Sequence, residues 1–239
     1  MFKFIKKINN RNIVIFSNLL NLIDNKTKIN ATIKEFDKIV KILIKNNNTI
    51  VLPTYNLNFP KLKLTGYSEK FITTGILIKR ILKSHKFKRT KKPMYNYAVI
   101  GPNSKTIISL AQSTAWGEDS VIGYLSNDKN TLGIGVDTDL LSFTWVSIHC
   151  CEEKLKVSYR FWKIFKGKNI DSGENVYEKM FVRYQNKKNM INLSQKIVLN
   201  KLVKDKKLFT KKGVHVKYSI INLNDYFKAN LKHLNRVIK

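Results

Sequence analysis

The chain is short of acid. Only 16 Asp and Glu stand against 45 Lys and Arg in 239 residues, a formal net charge of +29. A polycationic partner finds little here to hold it, whereas nucleic acid, anionic lipid and phosphorylated small molecules are favoured. Arginine is scarce as well, six residues against a background of Lys, Asn and Ile. Nucleic-acid recognition would be argued from an Arg-rich stripe with interleaved aromatics. No such stripe is present, and the lysines are spread along the chain as on a diffusely solvated surface. Cysteine is limited to the neighbours Cys150 and Cys151. Adjacent cysteines rarely bridge because the geometry is strained, and no CxxC or Cys/His spacing suggests zinc. They read as reduced, buried thiols of a cytosolic protein, with Cys150 beside His149 as the weaker, nucleophilic alternative.

Long apolar runs are missing too. None reaches the roughly 18 residues of a membrane span, and the basic start MFKFIKKINN is followed by no apolar core with a small-residue cleavage site. There is no internal repeat and no low-complexity linker. A soluble, cytoplasmic protein is expected, one domain over 1–239 with a core at 12–166 and a C-terminal subregion at 167–239.

What is present is an alternation of strand and helix. The β-branched run Asn12 to Phe16 reads as a strand, and Thr32 to Lys45 places apolar residues at helical spacing with Lys opposite. Asn46 to Asn48 ends that helix, and Thr49 to Leu52 is the next strand, a return consistent with a parallel pair. A loop with two prolines and a glycine runs from Pro53 to Tyr67. It leaves the end of a strand where open α/β sheets place ligands. Thr74 to Lys83 reads as a helix capped by Thr74, with Ile76, Leu77, Ile81 and Leu82 inward. His85 to Lys92 is the most concentrated basic stretch, either a solvated loop or a phosphate clamp. Further on, Leu132 to Val136 is a buried strand. Val157 to Lys166 alternates aromatic and basic residues as a strand with one wet face, and Gly173 to Asn186 continues similarly. Asn192 to Lys207 is an amphipathic helix, Gly213 to Ile221 a strand, and Asn224 to Val237 a terminal helix.

His149 and Glu152 stand at i and i+3, so in a helix they share a face. An imidazole is the usual general base near neutral pH, and a carboxylate beside it orients the ring and stabilises the imidazolium. The pair lies in a series of short stretches: Phe16-Ser17-Asn18-Leu19, Leu52-Pro53-Thr54-Tyr55, Thr74-Gly75-Ile76-Leu77, Arg89 to Asn96, Ala115 to Ser120, Leu132 to Val136, and Ile148 to Glu152. In that order they resemble the motifs of the aminoglycoside 3-N-acetyltransferase family, the acyl-CoA-dependent antibiotic N-acetyltransferases. The family's His before Pro is Lys92 here, its following Ser is Asn96, the first His of its opening turn is Phe16, and the Thr three before its motif His is Val146.

The resemblance implies an α/β fold with a central mixed, partly parallel sheet flanked by helices in a single domain. It implies N-acyl transfer from acetyl-CoA or another acyl-CoA, without a metal and compatibly with a homo-oligomer. His149 would be the base and Glu152 its orienting partner. Ser17, Asn18, Arg89, Lys92 and Asn96 would meet the cofactor; Thr54, Tyr55, Glu118 and Asp137 would meet the acceptor. Aminoglycosides are polycations, so the basic balance favours a nucleotide-linked amino sugar. The stretch Val157 to Gly167 resembles members of surface-polysaccharide pathways. An aminoglycoside 3-N-acetyltransferase is the alternative kept open by Glu118, Asp119, Asp137 and Asp139. A non-enzymatic nucleic-acid-binding protein rests on the charge alone.

Overall fold

A computed structural model describes residues 2–17, 19, 25–136, 145–184, 195–212 and 217–238. The strands are β1 (Asn12–Ser17), β2 (Thr49–Pro53), β3 (Leu64–Thr65), β4 (Lys88–Arg89), β5 (Tyr97–Ile100), β6 (Thr131–Val136), β7 (Arg160–Asn169), β8 (Asn175–Arg183), β9 (Leu208–Lys212) and β10 (Lys217–Asn222). Between them lie helices α1 (Phe2–Ile5), α2 (Lys26–Lys45), α3 (Phe59–Leu62), α4 (Ile76–Ser84), α5 (Ser104–Ile108), α6 (Val121–Asn127), α7 (Trp145–Lys154), α8 (Gln195–Lys204) and α9 (Leu223–Val237). Among the described residues no helix is long and apolar enough to cross a membrane.

Seven strands form one sheet in the order β4-β5-β2-β1-β6-β10-β9. Its centre, β2-β1-β6, is parallel and its flanks are antiparallel, the mixed, partly parallel sheet expected. The period of two along β1 explains the layering. Ile13 and Ile15 enter one buried cluster with Phe36, Ile39 and Leu43 of α2 and Ile78 of α4. Val14 and Phe16 enter the other with Val121 and Ile122 of α6, Ile148 of α7 and Tyr226 of α9. A strand buried on both faces must be apolar throughout, and NIVIF is nearly so. The C-terminal segment belongs to this body, since β10 pairs with β6 over Tyr218–Asn222.

Several local readings need correction. Helix α2 begins six residues before Thr32, where Asn25 Oδ1 accepts the Lys28 N–H at 2.8 Å. Thr74 is no cap: Gly75, at φ +93°, occupies that position, and the Thr74 hydroxyl donates to the Pro53 carbonyl at 2.6 Å. The buried stripe of α4 is Leu77, Ile78 and Ile81, while Ile76 is exposed. Strand β9 lies where no element was expected. The predicted turn after α2 is as read. Asn47 takes a left-handed φ of +59°, and Asn48 donates to the Leu43 and Ile8 carbonyls at 2.8 and 2.9 Å.

The two aromatic-basic strands pair with each other. Strands β7 and β8 form a long antiparallel ribbon, with Arg160 opposite Arg183 and Lys166 opposite Tyr177, and β3 joins its far end. This second, three-stranded sheet is joined to the main body through the loops that build the site. Ala115 N–H donates to the Lys179 carbonyl at 2.9 Å. Glu178 accepts the N–H groups of Met94 and Tyr95 at 2.7 and 3.2 Å.

Candidate active site

Parallel strands β1, β2 and β6 end on one edge, at Ser17, Pro53 and Val136. Thr54 and Tyr55 continue from β2 there. Asn96 precedes β5, whose Tyr97 pairs with Pro53. This is the edge at which open α/β sheets form their ligand crevices. From it a chain of rings leads to the base. Tyr97 and Tyr55 share a hydroxyl contact of 2.7 Å, Tyr55 packs on Tyr95 at 4.9 Å between centroids, Tyr95 on Trp116 at 4.2 Å, and Trp116 on His149 at 5.1 Å.

His149 stands on α7, a helix buried on nearly all sides: Val146, Ser147, Ile148, Cys150, Cys151 and Glu152 are all below 9% exposure. The i, i+3 spacing brings His149 Nδ1 to 2.7 Å from Glu152 Oε2. Glu152, fully buried, also receives Arg160 Nη2 at 2.5 Å, Arg183 Nη2 at 2.9 Å and the Tyr159 hydroxyl at 3.1 Å. Burial alone would raise its pKa, but the His149 hydrogen bond and the charges of Arg160 and Arg183 outweigh it and hold the carboxyl at about 2. An ionised carboxylate has no proton to give, so the hydrogen of the 2.7 Å contact sits on Nδ1. Arg160 Nη2 also lies 2.8 Å from Nδ1. Both groups are donors in that tautomer, so the arginine hydrogen goes to Oε2. Nε2 then carries the lone pair. It has no partner among the described residues, and the side chain is 23% exposed. Burial, helped by the two arginines and opposed by Glu152, lowers the His149 pKa below its ordinary 6.5. The ring is therefore neutral at pH 7 and able to take a proton.

The rest of the shell fixes this geometry. Arg160 is anchored by the Phe181 carbonyl at 2.6 Å, and the register of β7 with β8 sets Arg183 across from it. The end of α7 is tied to the loop carrying Trp116: Thr114 donates to Glu153 at 2.6 Å and Lys154 pairs with Glu118 at 2.6 Å. The indole N–H of Trp116 is buried without a partner among the described residues. Both cysteine thiols are free and buried, and burial pushes their pKa values up. Cys151 packs toward the Phe227 carbonyl of α9, away from the base. Among the described residues no group of three His, Cys, Asp or Glu side chains could hold a metal.

The other anticipated residues divide into three groups. Arg89, Asn96 and Thr54 are brought together: Asn96 Oδ1 accepts from Thr54 Oγ1 at 2.5 Å and from Arg89 Nη2, which also reaches the Thr54 carbonyl at 3.2 Å. The other Arg89 nitrogen donates to Tyr67 O at 3.1 Å. Burial lowers the guanidinium pKa to about 10. Lys92 lies nearby but on the outer side, its ammonium 6.0 Å from the Tyr177 ring. Glu118 is bound to Lys154, five residues and about 7.5 Å along α7 from His149. Asn18 and Asp137 lie outside the described residues. Arg160, Arg183, Tyr159 and Trp116 are the members of the site that residue patterns did not assign a role. Tyr159-Arg160 falls inside the aromatic-basic stretch, but only the β7–β8 register reveals that two arginines meet one carboxylate.

No family model and no curated protein sequence matches the chain. The fold, however, is that of the aminoglycoside acetyltransferases. The structure of AAC-VIa bound to sisomicin superposes with a TM-score of 0.70 over 98% of this chain and 94% of that one, at 9% identity. AAC(3)-IIb gives 0.70 over 98% and 96%, at 11% identity. The YokD protein from Bacillus subtilis gives 0.68 over 98% and 90%, at 13% identity.

Proposed function

We propose that the chain is an acyl-CoA-dependent N-acyltransferase whose acceptor is an amino sugar linked to a nucleotide. The observation carrying this is the neutral His149, with Nδ1–H held by an ionised Glu152 and Nε2 open. Nε2 takes the proton from the acceptor amine as its nitrogen attacks the thioester carbonyl. The tetrahedral intermediate collapses with cleavage of the C–S bond. The imidazolium returns its proton to the departing thiolate, leaving an amide and free coenzyme A. Glu152 supports the imidazolium in between, and Arg160 and Arg183 keep Glu152 charged. The likeness to acetyltransferases supports the same reaction class.

Acyl-CoA supplies the activated acyl group and brings phosphates that require cations or backbone N–H donors. Lys92, with its ammonium outward, suits that demand, and Ser17 on the same sheet edge suits the pantetheine side. Arg89 and Asn96 give their hydrogen bonds to neighbouring loops, so they act by shaping the wall that Thr54 and Tyr55 present to the acceptor. The aminoglycoside alternative draws on neighbours solved with sisomicin, gentamicin and apramycin. The scarcity of exposed acid near the site disfavours it.

A thiol-release assay with acetyl-CoA and a panel of free amino sugars, nucleotide-linked amino sugars and aminoglycosides tests the reading. Turnover is expected with the nucleotide-linked amines. His149→Ala should abolish it while coenzyme A still binds; undiminished turnover in that variant would remove the base from the mechanism.

A further inference from the structure

Outside the His149 cluster the largest described concavity is a groove of about 1050 Å³ between the end of α3 and the far half of the β7–β8 ribbon. Three of its lining residues are lysines, Lys63, Lys166 and Lys168, and none is acidic. Between the lysines the floor is flat and apolar, with Ile164 52% and Tyr177 62% exposed. Large apolar side chains left that open on an ordered strand need a reason. The groove is rigidly backed. Lys168 N–H donates to the Lys63 carbonyl at 2.8 Å, and at Gly167 a Cβ would stand 2.4 Å from that same oxygen, so the two backbones touch.

The ribbon also connects the groove to the chemistry. Arg160, which binds Glu152 beside His149, begins β7; Ile164 and Lys166 lie four and six residues further, about 13 and 20 Å along an extended strand. Lysines around an open aromatic ring match phosphates beside a heteroaromatic base. The span is of the order of an extended nucleoside-diphosphate sugar.

We propose that this groove binds the nucleoside diphosphate of the acceptor: Tyr177 carries the base, Lys166, Lys168 and Lys63 hold the pyrophosphate, and the ribbon directs the sugar amine toward His149. The proposal rests on the acyltransfer reading for its second half only. It also explains the choice of acceptor, because a polycationic antibiotic would meet three ammonium groups where it needs carboxylates.

Calorimetric titration of the full chain with UDP, dTDP and adenosine 3′,5′-bisphosphate, the last a fragment of the acyl donor, decides the matter. UDP or dTDP should bind, and the Lys166→Glu/Lys168→Glu variant should weaken that binding roughly tenfold or more, since each charge-assisted contact is worth about one decade. Tyr177→Ala should weaken it several-fold. All three side chains are exposed, so unchanged thermal melts will show that the variants fold. Absence of binding by both pyrimidine diphosphates overturns the proposal. So does binding that ignores the charge reversal, or a reversal effect confined to the adenosine bisphosphate, which would give the groove to the donor. Acyl transfer to a free amino sugar without nucleotide binding would defeat the groove and leave the enzyme. Lysine-dependent nucleotide binding without turnover of any amine would do the opposite.

Discussion

Glu178 offers the sharpest test of how the two sheets are held together. Its side chain is fully buried on β8; Oε2 accepts the N–H groups of Met94 and Tyr95, and Oε1 has no partner among the described residues. Burial raises the carboxyl pKa from 4.5 to about 7. The folded chain therefore keeps this proton longer than the unfolded chain does. The stability associated with the protonated form is fully present below pH 4.5 and is lost as pH rises through about 7. The gap corresponds to an upper bound of about 3.4 kcal/mol. Glu178→Gln keeps the shape and one acceptor oxygen but cannot ionise. Its amide N–H takes the place of the unpartnered Oε1 and costs about 1–3 kcal/mol at every pH. The absolute change at one pH is thus a small difference of opposing effects, but the change between pH 5 and pH 8 is not. Urea denaturation at both values should show the natural chain losing about 2–3 kcal/mol relative to the variant as pH rises. Parallel pH dependences in the two proteins would refute a buried carboxyl titrating near neutrality, and with it the reading of Glu178 as the proton-sensitive anchor of the Met94–Tyr95 loop.

Two further outcomes follow from the same cluster. Glu152→Gln removes the charge that favours the imidazolium, so kcat should fall by about 10²–10⁴ and the acidic limb of its pH profile should move to lower pH; a limb that stays in place would separate Glu152 from His149 titration. The buried thiols of Cys150 and Cys151 should be silent to a thiol reagent in the native chain and titrate only in denaturant, whereas rapid labelling of Cys150 would revive it as a nucleophile.

How much of this was legible in the residues depends on the range of the interaction. Strand β1, strand β2 and helix α4 are announced by local period, because each presents an apolar face to a neighbour in a layered fold. The first turns of α2 are not, since KTKINAT has no apolar stripe and the start is set by one side-chain cap at Asn25. Strand β9, LFTKK, is too short and too basic to be read without the β10 partner that supplies its hydrogen bonds. In the site, His149 and Glu152 were legible because three residues on a helix bring them together. Arg160 and Arg183 were not: 23 positions separate them in the chain, and only the β7–β8 register brings both to Glu152. Arg89 shows the converse. Its charge and its place in a basic stretch point to phosphate, yet its hydrogen bonds go to Tyr67, Thr54 and Asn96.

Net charge misleads in a related way, and the correction bears on the acceptor. A count of 16 acidic residues suggests a modest supply of carboxylates for the surface. Glu35, Glu152 and Glu178 are buried, and Glu118 is neutralised by Lys154. Those acids hold helices, arginines and loops, so the face presented to a ligand is more basic than the total implies. The lysines behave oppositely: Lys63, Lys166 and Lys168 keep their ammonium groups in the groove lining with no acid beside them. A fold shared with enzymes of polycationic antibiotics therefore carries, at the far end of the ribbon that holds its catalytic arginines, a surface of reversed sign. Since a site discriminates between acceptors by repulsion as much as by contact, that reversal is the strongest physical reason to look for the substrate among phosphorylated amines.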